Sequence, residues 1–383
     1  MTRATITRKL RISDPSVLPA WLQGAALFEW VTIPNSQLNQ QTVWSDYTLG
    51  SGGAGSNVGL FAYSGGAVKT SGSELFIAGG GHADYAGNEV FSIRLADDAP
   101  AWQRRNDPTP GIPSAAIWKA DFNSVYYPDG RPSARHTYWT LQFNDTLNKL
   151  LFVGAPAGWG DPPCYGENVD AFDPVTNDYV AAGTYAQNIG GSFVANAIVK
   201  LADDSIIMHN ATTGKMYRLA ADAMSVQLLT GGGVYSSGTP YAFDSKRDRV
   251  FRIKGGTSSA SKAALFQISG TTVTKTDVTV TGAAASFVEG ESNDYHGSLV
   301  YCPVSDAFFF WRRSTGTVAY TDLYRIDPVT FEATVQPTTG IVTNPLYTGG
   351  TRKYYGRFNY CPDLRGIVYM EMSDKPVRFI RTG

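Results

Sequence analysis

The sequence is poor in charge, in cysteine and in long apolar runs, and each shortage excludes a class of protein. Charged residues make up 17% of the 383 residues and the net charge is −1, so we expect no nucleic-acid partner. The three cysteines, Cys164, Cys302 and Cys361, are odd in number and lack the spacing of a disulfide framework or a zinc site. No apolar run approaches the ~18 residues of a membrane-spanning helix, so no membrane insertion is expected.

The N-terminal region does not have the pattern of a secretory signal peptide. The apolar stretch that follows Val17 is interrupted by Pro19 and Gln23 and lies well inside the chain. Residues 1–20 fall outside the repeat described below, and we predict that they form an arm that contacts other protein subunits, whereas residues 21–383 form a single domain. A protein without a clear signal can still leave the cell by lysis or within a particle, so the expected location is extracellular or virion-associated.

Glycine and aromatic residues are abundant, and they accompany a repeated hairpin. The chain has 40 glycines and 13% aromatic residues, a composition that favours strands joined by tight turns. In six segments, an apolar residue near the end of one strand is followed seven positions later by an apolar residue of the next strand. The six pairs are Val68/Leu75, Phe143/Leu150, Val199/Ile206, Phe243/Val250, Tyr301/Phe308 and Tyr360/Ile367.

The repeat predicts an all-β fold, a β-propeller of about six four-stranded blades. A seventh blade stays open, because the stretch between Arg104 and Arg135 is long enough to hold a degenerate one. The last unit stops after its third strand, whereas residues 27–34 have strand composition and no unit of their own. We therefore predict that residues 27–34 pair with the strand at 376–382 and close the ring, which removes an exposed sheet edge.

Two blocks of the sequence resemble kelch-type repeats. One is ARHTYWTLQFNDTLNKLLFVGAP followed by NVDAFDP, in which an Arg–His start leads into a first strand. The other, YSGGAVKTSGSELFIAGGGHADYAGNEVFSI, is similar to bacterial kelch-like propellers, among them the ulvan lyase type of polysaccharide lyase. The resemblance is loose over residues 25–383 and sharp at about 60–95 and 130–175.

The resemblance implies a propeller that handles a polyanionic glycan on one face. In these lyases a His and a Tyr act as acid and base, and an Arg or polar group neutralises the uronate carboxylate. By motif, His82 and His136 take the family's positions, whereas the third and fourth blades offer no clear counterpart for the Tyr and the Arg. The family is usually secreted and seven-bladed, and this sequence has neither a clear signal nor a clear seventh blade.

The candidate site residues lie in the loops that a propeller gathers at one face. The predicted catalytic residues are His82, His136, Tyr138 and His296. The predicted substrate-binding residues are Tyr85, Arg135, Trp159, Tyr165, Arg312, Tyr355 and Arg357. Such residues supply acid–base groups, stacking rings and cations for carboxylates, and each could equally hold a loop in place.

Position within the repeat links several of these candidates. Tyr138, His296 and Tyr355 each lie five residues before the last residue of a first strand, so a rotational repeat should place them on one ring.

His209 is predicted to be a turn residue. No cofactor is expected, although His82, Asp84 and Glu89 leave a divalent-cation site open.

Two classes of function remain from the sequence, with a third behind them. The favoured class is a glycan-recognising protein, such as a receptor-binding or decoration subunit of a virion or other particle, with a polysaccharide or cell-surface glycan as its partner. The alternative is a polysaccharide lyase or depolymerase that cleaves a uronate-containing polymer by β-elimination. The third is a kelch-like scaffold for a protein partner.

Overall fold

The computed structural model describes most of the chain. The described residues are 18–41, 64–80, 87–110, 124–154, 156–157, 164–190, 198–210, 213–233, 240–253, 263–289, 297–312, 322–340, 355–372 and 374–383. Within these ranges the fold is all-β, as predicted. Helix there is limited to α1 (Leu38–Gln41), α2 (Ala285–Val288) and the 3-10 turns Ala20–Leu22 and Tyr355–Arg357.

The strands form antiparallel groups of four, named sheets 1 to 6 in chain order. Sheet 1 contains β2 (Gly65–Lys69), β3 (Glu74–Ala78), β4 (Val90–Arg94) and β5 (Trp102–Arg104). Sheet 2 contains β6 (Leu141–Asn144), β7 (Lys149–Val153), β10 (Val169–Asp173) and β11 (Asp178–Tyr179), with the separate pair β8 (Pro156–Ala157) and β9 (Cys164–Tyr165) between β7 and β10. Sheet 3 contains β12 (Ile198–Lys200), β13 (Ile206–Asn210), β14 (Lys215–Leu219) and β15 (Val226–Gly231).

The remaining sheets repeat the same order of strands. Sheet 4 contains β16 (Tyr241–Asp244), β17 (Arg249–Arg252), β18 (Ala263–Ser269) and β19 (Thr272–Val278). Sheet 5 contains β20 (Ser298–Cys302), β21 (Ala307–Trp311), β22 (Leu323–Ile326) and β23 (Ala333–Gln336). Sheet 6 contains β24 (Phe358–Cys361), β25 (Gly366–Tyr369), β26 (Arg378–Arg381) and, as its outer strand, β1 (Trp30–Thr32).

The seven-residue spacing of apolar residues in the sequence matches the register of the hairpins in the structure. Five of the six predicted pairs are direct cross-strand partners, for example Phe243 with Val250 and Tyr301 with Phe308. The exception is Val199, which pairs with Ile207 because the turn of sheet 3 contains one residue more than the others. Each of these turns includes a non-glycine residue with positive φ, a conformation that Asn and Asp tolerate best. Those residues are Ser73, Asn148, Asp204, Asp248, Asp306 and Arg365.

The predicted pairing of an N-terminal strand with the C-terminal strand is confirmed. Trp30 pairs with Ile380 and Thr32 with Arg378, so residues 30–32 complete the sheet that the C-terminal strands begin. Leu18 packs against the apolar cluster between sheets 6 and 1, and the Ala20 amide donates to Asp98. The last residues of the predicted arm therefore contact their own chain, whereas residues 1–17 lie outside the described residues.

Apolar clusters fill the spaces between neighbouring sheets in cyclic order, from sheets 1 and 2 round to sheets 6 and 1. Side chains on one strand alternate between two clusters, as the pleat requires. In β21, Phe308 and Phe310 pack toward sheet 4, while Phe309 and Trp311 pack toward sheet 6. The sheets thus stack face to face around a common centre, an arrangement consistent with a propeller-like fold.

The first strands of the sheets lie at that centre. Strand β2 contacts β6 and β24, and β16 contacts β12 and β20, which in turn contacts β24. Lys200 at the end of β12 donates to the Phe143 carbonyl of β6 at 2.7 Å, which links sheets 2 and 3. Two ends follow from this topology. We call the edge where first strands begin and second strands end the entry end, and the opposite edge the turn end.

Outer strands also join some neighbouring sheets. Strands β15 and β19 pair in parallel at Thr230/Thr272 and Gly231/Val273, so sheets 3 and 4 share one hydrogen-bonded ladder.

Within the described residues, no helix is long and apolar enough to cross a membrane.

Candidate functional site

The entry end concentrates aromatic, imidazole and guanidinium side chains. At the centre of this end, Tyr138 and Trp139 precede β6, and Tyr355 lies in the 3-10 turn before β24. The rings of Tyr138 and Tyr355 meet edge to face with their centroids 4.8 Å apart, and Trp139 meets Tyr355 in the same way at 5.0 Å. Two of the residues that the repeat predicted to share a ring therefore touch. His296, the third, lies outside the described residues.

Glycines allow this close approach. A Cβ on Gly65 would lie 2.0 Å from the Tyr138 carbonyl oxygen, and a Cβ on Gly356 would lie 2.9 Å from the Gly66 oxygen. The hydroxyl of Thr137 fixes the same junction, because it accepts from the Gly65 amide at 2.8 Å and donates to the Ala78 carbonyl at 2.7 Å. These close backbone contacts and hydrogen bonds connect sheets 1, 2 and 6 next to the two tyrosines.

Both tyrosines have strained backbones. Tyr138 has a φ of 41° and Tyr355 a φ of 30°, and positive φ is rare for bulky residues. Such strain persists only where the surroundings hold it, and it is common at functional sites. The Tyr138 hydroxyl lies 3.2 Å from Nδ1 of His136, so sequence neighbours two apart form a His–Tyr pair. His136 is 6% exposed and Tyr138 8% exposed.

Arg135 forms a buried ion pair next to this His–Tyr pair. Its guanidinium donates to Asp170 at 2.9 Å and to the carbonyls of Ser133 and Val125. Asp170 also accepts from the Tyr126 hydroxyl at 3.0 Å. Arg135 was predicted to bind substrate. In the structure its Nε, Nη1 and Nη2 groups all donate within the chain, an arrangement that positions the segment before β6.

A second His–Tyr pair joins sheets 3 and 4 at the entry end. The Tyr241 hydroxyl lies 2.9 Å from Nδ1 of His209, and Arg252 interacts with the same hydroxyl. Burial raises the pKa of Tyr241 to about 12, against the opposing effect of Arg252, so the phenol is neutral at ordinary pH. His209 belongs to β13 and pairs with Met216, so the prediction that it is a turn residue is wrong. The IIMHN segment continues as a strand through His209 because its alternate side chains are buried on both faces of sheet 3.

Sequence reasoning missed Tyr241 and Arg252, although the register was available. The predicted pairing of Phe243 with Val250 places Tyr241 opposite Arg252, two residues further along the same ladder. Arg252 is fully buried beside the Phe266 ring, 6.0 Å from its centroid. The VFRIK segment gave no sign of this burial, because an arginine at a strand end is usually solvated.

Sheet 6 adds further charged groups to the entry end. Arg357 is 1% exposed, and its carbonyl accepts from the Met370 amide at 3.1 Å. Glu371 follows β25, and burial raises its pKa to about 7 against the opposing effects of nearby Lys375, Arg357 and Arg378. Arg312 follows β21 and is half-buried. Arg357 and Arg312 were predicted from the sequence, and Glu371 was not.

The other predicted site residues are not described in full. His82, His296, Tyr85 and Trp159 lie outside the described residues. Tyr165 is placed as part of β9, opposite Pro156, by its backbone. The open cation site at His82, Asp84 and Glu89 falls mostly on residues outside the description. In the part of the chain that is described, no three His, Cys, Asp or Glu side chains form a group that could hold a metal ion.

Comparisons with known proteins add little to this geometry. No family model and no curated protein matches the sequence. A fungal alcohol oxidase of the AA5 family, solved in complex with copper, is similar in structure with a TM-score of 0.44 and 13% identity. The match covers 74% of this chain and 54% of the oxidase, so the chain spans about half the length of that protein. A likeness this distant carries no argument about function.

Proposed function

We propose that the chain is a six-bladed β-propeller that binds a uronate-containing polysaccharide at its entry end and cleaves it by β-elimination. The blade number is supported by the cyclic order of the apolar clusters, in which each sheet packs against one neighbour on each face. The outer strand β1 supplies the fourth strand of the sixth blade.

The observation that carries the proposal is the grouping of His209, Tyr241 and Arg252. These are the three residue types that the resemblance to polysaccharide lyases implies, and the structure brings them together from sheets 3 and 4. They come from the blades in which the sequence alone offered no counterpart for the tyrosine and the arginine. They also share the entry end with His136, Tyr138 and the aromatic junction of sheets 2 and 6.

Each group has a chemical task in an elimination. The guanidinium of Arg252 would neutralise the uronate carboxylate and thereby make the C5 proton more acidic. His209 would take the C5 proton as the C4–C5 double bond forms. Tyr241, neutral because of its high pKa, would give its proton to the O4 oxygen as the C4–O4 bond breaks. The two products are an unsaturated uronate end and a new reducing end.

The test uses purified protein and four acidic polymers: polygalacturonate, alginate, hyaluronan and chondroitin sulfate. We expect one of them to be bound and to yield products with the ultraviolet absorbance of an unsaturated uronate. Tyr241→Phe should lower the rate at least a hundredfold while binding persists, since one positioned acid is typically worth ~10²–10⁴-fold. Tyr301→Phe is the matched control, because it removes a buried hydroxyl at the turn end, where Tyr301 donates to Asp306.

Binding without cleavage is the second candidate function. The burial of His209 and Arg252, at 1% and 0% exposure, would also suit residues that only hold sheets 3 and 4 together. A protein that binds a polymer tightly and releases no unsaturated product would fit a receptor-binding or decoration subunit of a virion. In that case Tyr241→Phe should lower the melting temperature rather than any rate. Binding of none of the polymers would refute both candidates.

A further inference from the structure

Trp139, which lies with Tyr138 and Tyr355 at the centre of the entry end, has an indole N–H that lacks a partner among the described residues. Its ring is 6% exposed and packs against Tyr355, and its backbone carbonyl accepts from Gln142 at 3.0 Å. The indole N–H is buried and has no hydrogen-bond partner among the residues that the structure describes. An indole N–H is a donor only, and a buried donor that has lost water without gaining an acceptor is unfavourable. Such a group requires an explanation.

A comparison with Trp311 shows why the surroundings of Trp139 matter. The N–H of Trp311 is also buried and lacks a partner within the described ranges. However, Trp311 lies in an apolar cluster with Trp30, Phe309 and Leu323, where no ligand oxygen would be stable. Trp139 lies in a smaller cluster with Tyr138 and Tyr355 at the entry end, where the Tyr138 hydroxyl interacts with His136.

A buried cation lies in the 3-10 turn that contacts Trp139. Arg357 is in the same 3-10 turn as Tyr355, whose ring contacts Trp139, and its guanidinium is buried. A buried positive charge attracts a carboxylate more strongly than it attracts a neutral hydroxyl. A hydrogen bond from a neutral donor to a charged acceptor is also stronger than one to a neutral acceptor.

We propose that Trp139 is a ligand-binding residue whose indole N–H donates a hydrogen bond to a carboxylate oxygen of the bound polysaccharide. This inference rests on the proposed function and adds a specificity determinant to it. Trp139 distinguishes a uronate residue from its neutral counterpart at the centre of the entry end. His209, Tyr241 and Arg252 carry the reaction in the neighbouring sheets 3 and 4.

The test compares Trp139→Phe with Trp311→Phe, since both remove a buried indole N–H that has no partner among the described residues. Each variant is titrated with whichever of the four acidic polymers the wild-type protein binds, and with the same polymer after chemical reduction of its carboxylates to alcohols. We expect W139F to bind the acidic polymer about tenfold more weakly and the reduced polymer as the wild type does. W311F should bind both as the wild type does.

Two results would overturn the inference alone. One is unchanged binding of the acidic polymer by W139F, and the other is an equal loss for the acidic and the reduced polymer. If the wild type binds none of the acidic polymers, this inference and the proposed function fall together. Should W139F fail to fold, Trp139→His keeps a ring N–H and should retain the preference for the acidic polymer. If neither variant folds, the indole N–H resonances of ¹⁵N-labelled wild-type protein are recorded while an oligosaccharide of the bound polymer is added. A shift of one indole resonance is expected, and the absence of any shift refutes the inference.

Discussion

Trp30 is the residue on which closure of the ring can be tested most directly. It lies in the outer strand of sheet 6, is 6% exposed, and contacts Trp311 at 5.1 Å and Tyr369 at 6.3 Å between ring centroids. Its backbone amide donates to the Thr339 carbonyl at 2.8 Å, which connects sheet 6 to the segment after sheet 5. Truncation of this side chain therefore removes packing between sheets 5 and 6.

The size of the effect follows from burial. A Trp→Ala change in a packed core costs about 3–5 kcal/mol, because the lost transfer energy and the cavity add together. Trp30→Phe should cost only about 1 kcal/mol, since it keeps most of the packing and removes an N–H that has no partner among the described residues. Leu27→Ala is the control in the same segment: Leu27 is 55% exposed, so its free energy of unfolding should change by less than about 0.5 kcal/mol.

Urea unfolding followed by circular dichroism measures these differences at a common denaturant slope. The expected order of stability is wild type and L27A together, then W30F, then W30A. Hydrogen exchange should show faster exchange at the Phe379 amide in W30A, because Phe379 lies opposite Val31 of β1. A W30A variant as stable as L27A would refute the reasoning, since the ring would then not depend on its N-terminal strand.

Three further predictions address the entry end. In the same urea assay, Thr137→Val should lower the free energy of unfolding by about 2–4 kcal/mol, because it leaves the buried Gly65 amide and Ala78 carbonyl without their partner. Thr137→Ser keeps the hydroxyl and should lower it by much less. Gly65→Ala should destabilise by several kcal/mol through its clash with the Tyr138 carbonyl, while Gly72→Ala, with open space around it and a φ of +84°, should cost about 1 kcal/mol. The pKa of Glu371, raised to about 7 by burial, lies above its unfolded value near 4.5, so its contribution to stability should be complete at low pH and lost as pH rises to 7. Glu371→Gln should remove that part of the pH dependence measured by thermal unfolding.

Most of the strand pairing could be predicted from the sequence alone, because turn residues recur at a fixed spacing in each hairpin of the repeat. Turns with a fixed number of residues set the register, and the register sets which side chains meet across a hairpin. Val199 shows the limit of this reasoning. One additional residue in its turn shifts the pairing by one position, and spacing of apolar residues cannot reveal that shift when Ile206 and Ile207 are both apolar.

The candidate site was harder to predict, because it depends on contacts between sheets. The pair formed by Tyr138 and Tyr355 was predictable, since both occupy the same offset from the end of a first strand. The pair formed by His209 and Tyr241 joins the second strand of sheet 3 to the first strand of sheet 4, and no spacing within one hairpin encodes it. Its prediction requires the knowledge of which sheets are neighbours and how far each is rotated.

Rotation of the repeat explains why polar groups from distant parts of the sequence converge at the entry end. Each first strand starts near the common centre, so a residue just before it faces its counterparts from the other sheets, and each second strand returns to the same end. Tyr241 precedes the turn of its hairpin and Arg252 follows it, yet the two are direct partners. Both side chains also pack against the Phe266 ring of sheet 4, so the two positions take part in the packing between sheets 3 and 4 as well. Under the proposed function, the reaction depends on residues at a few offsets from the hairpin turns, and substitution of Tyr241 or Arg252 should lower its rate.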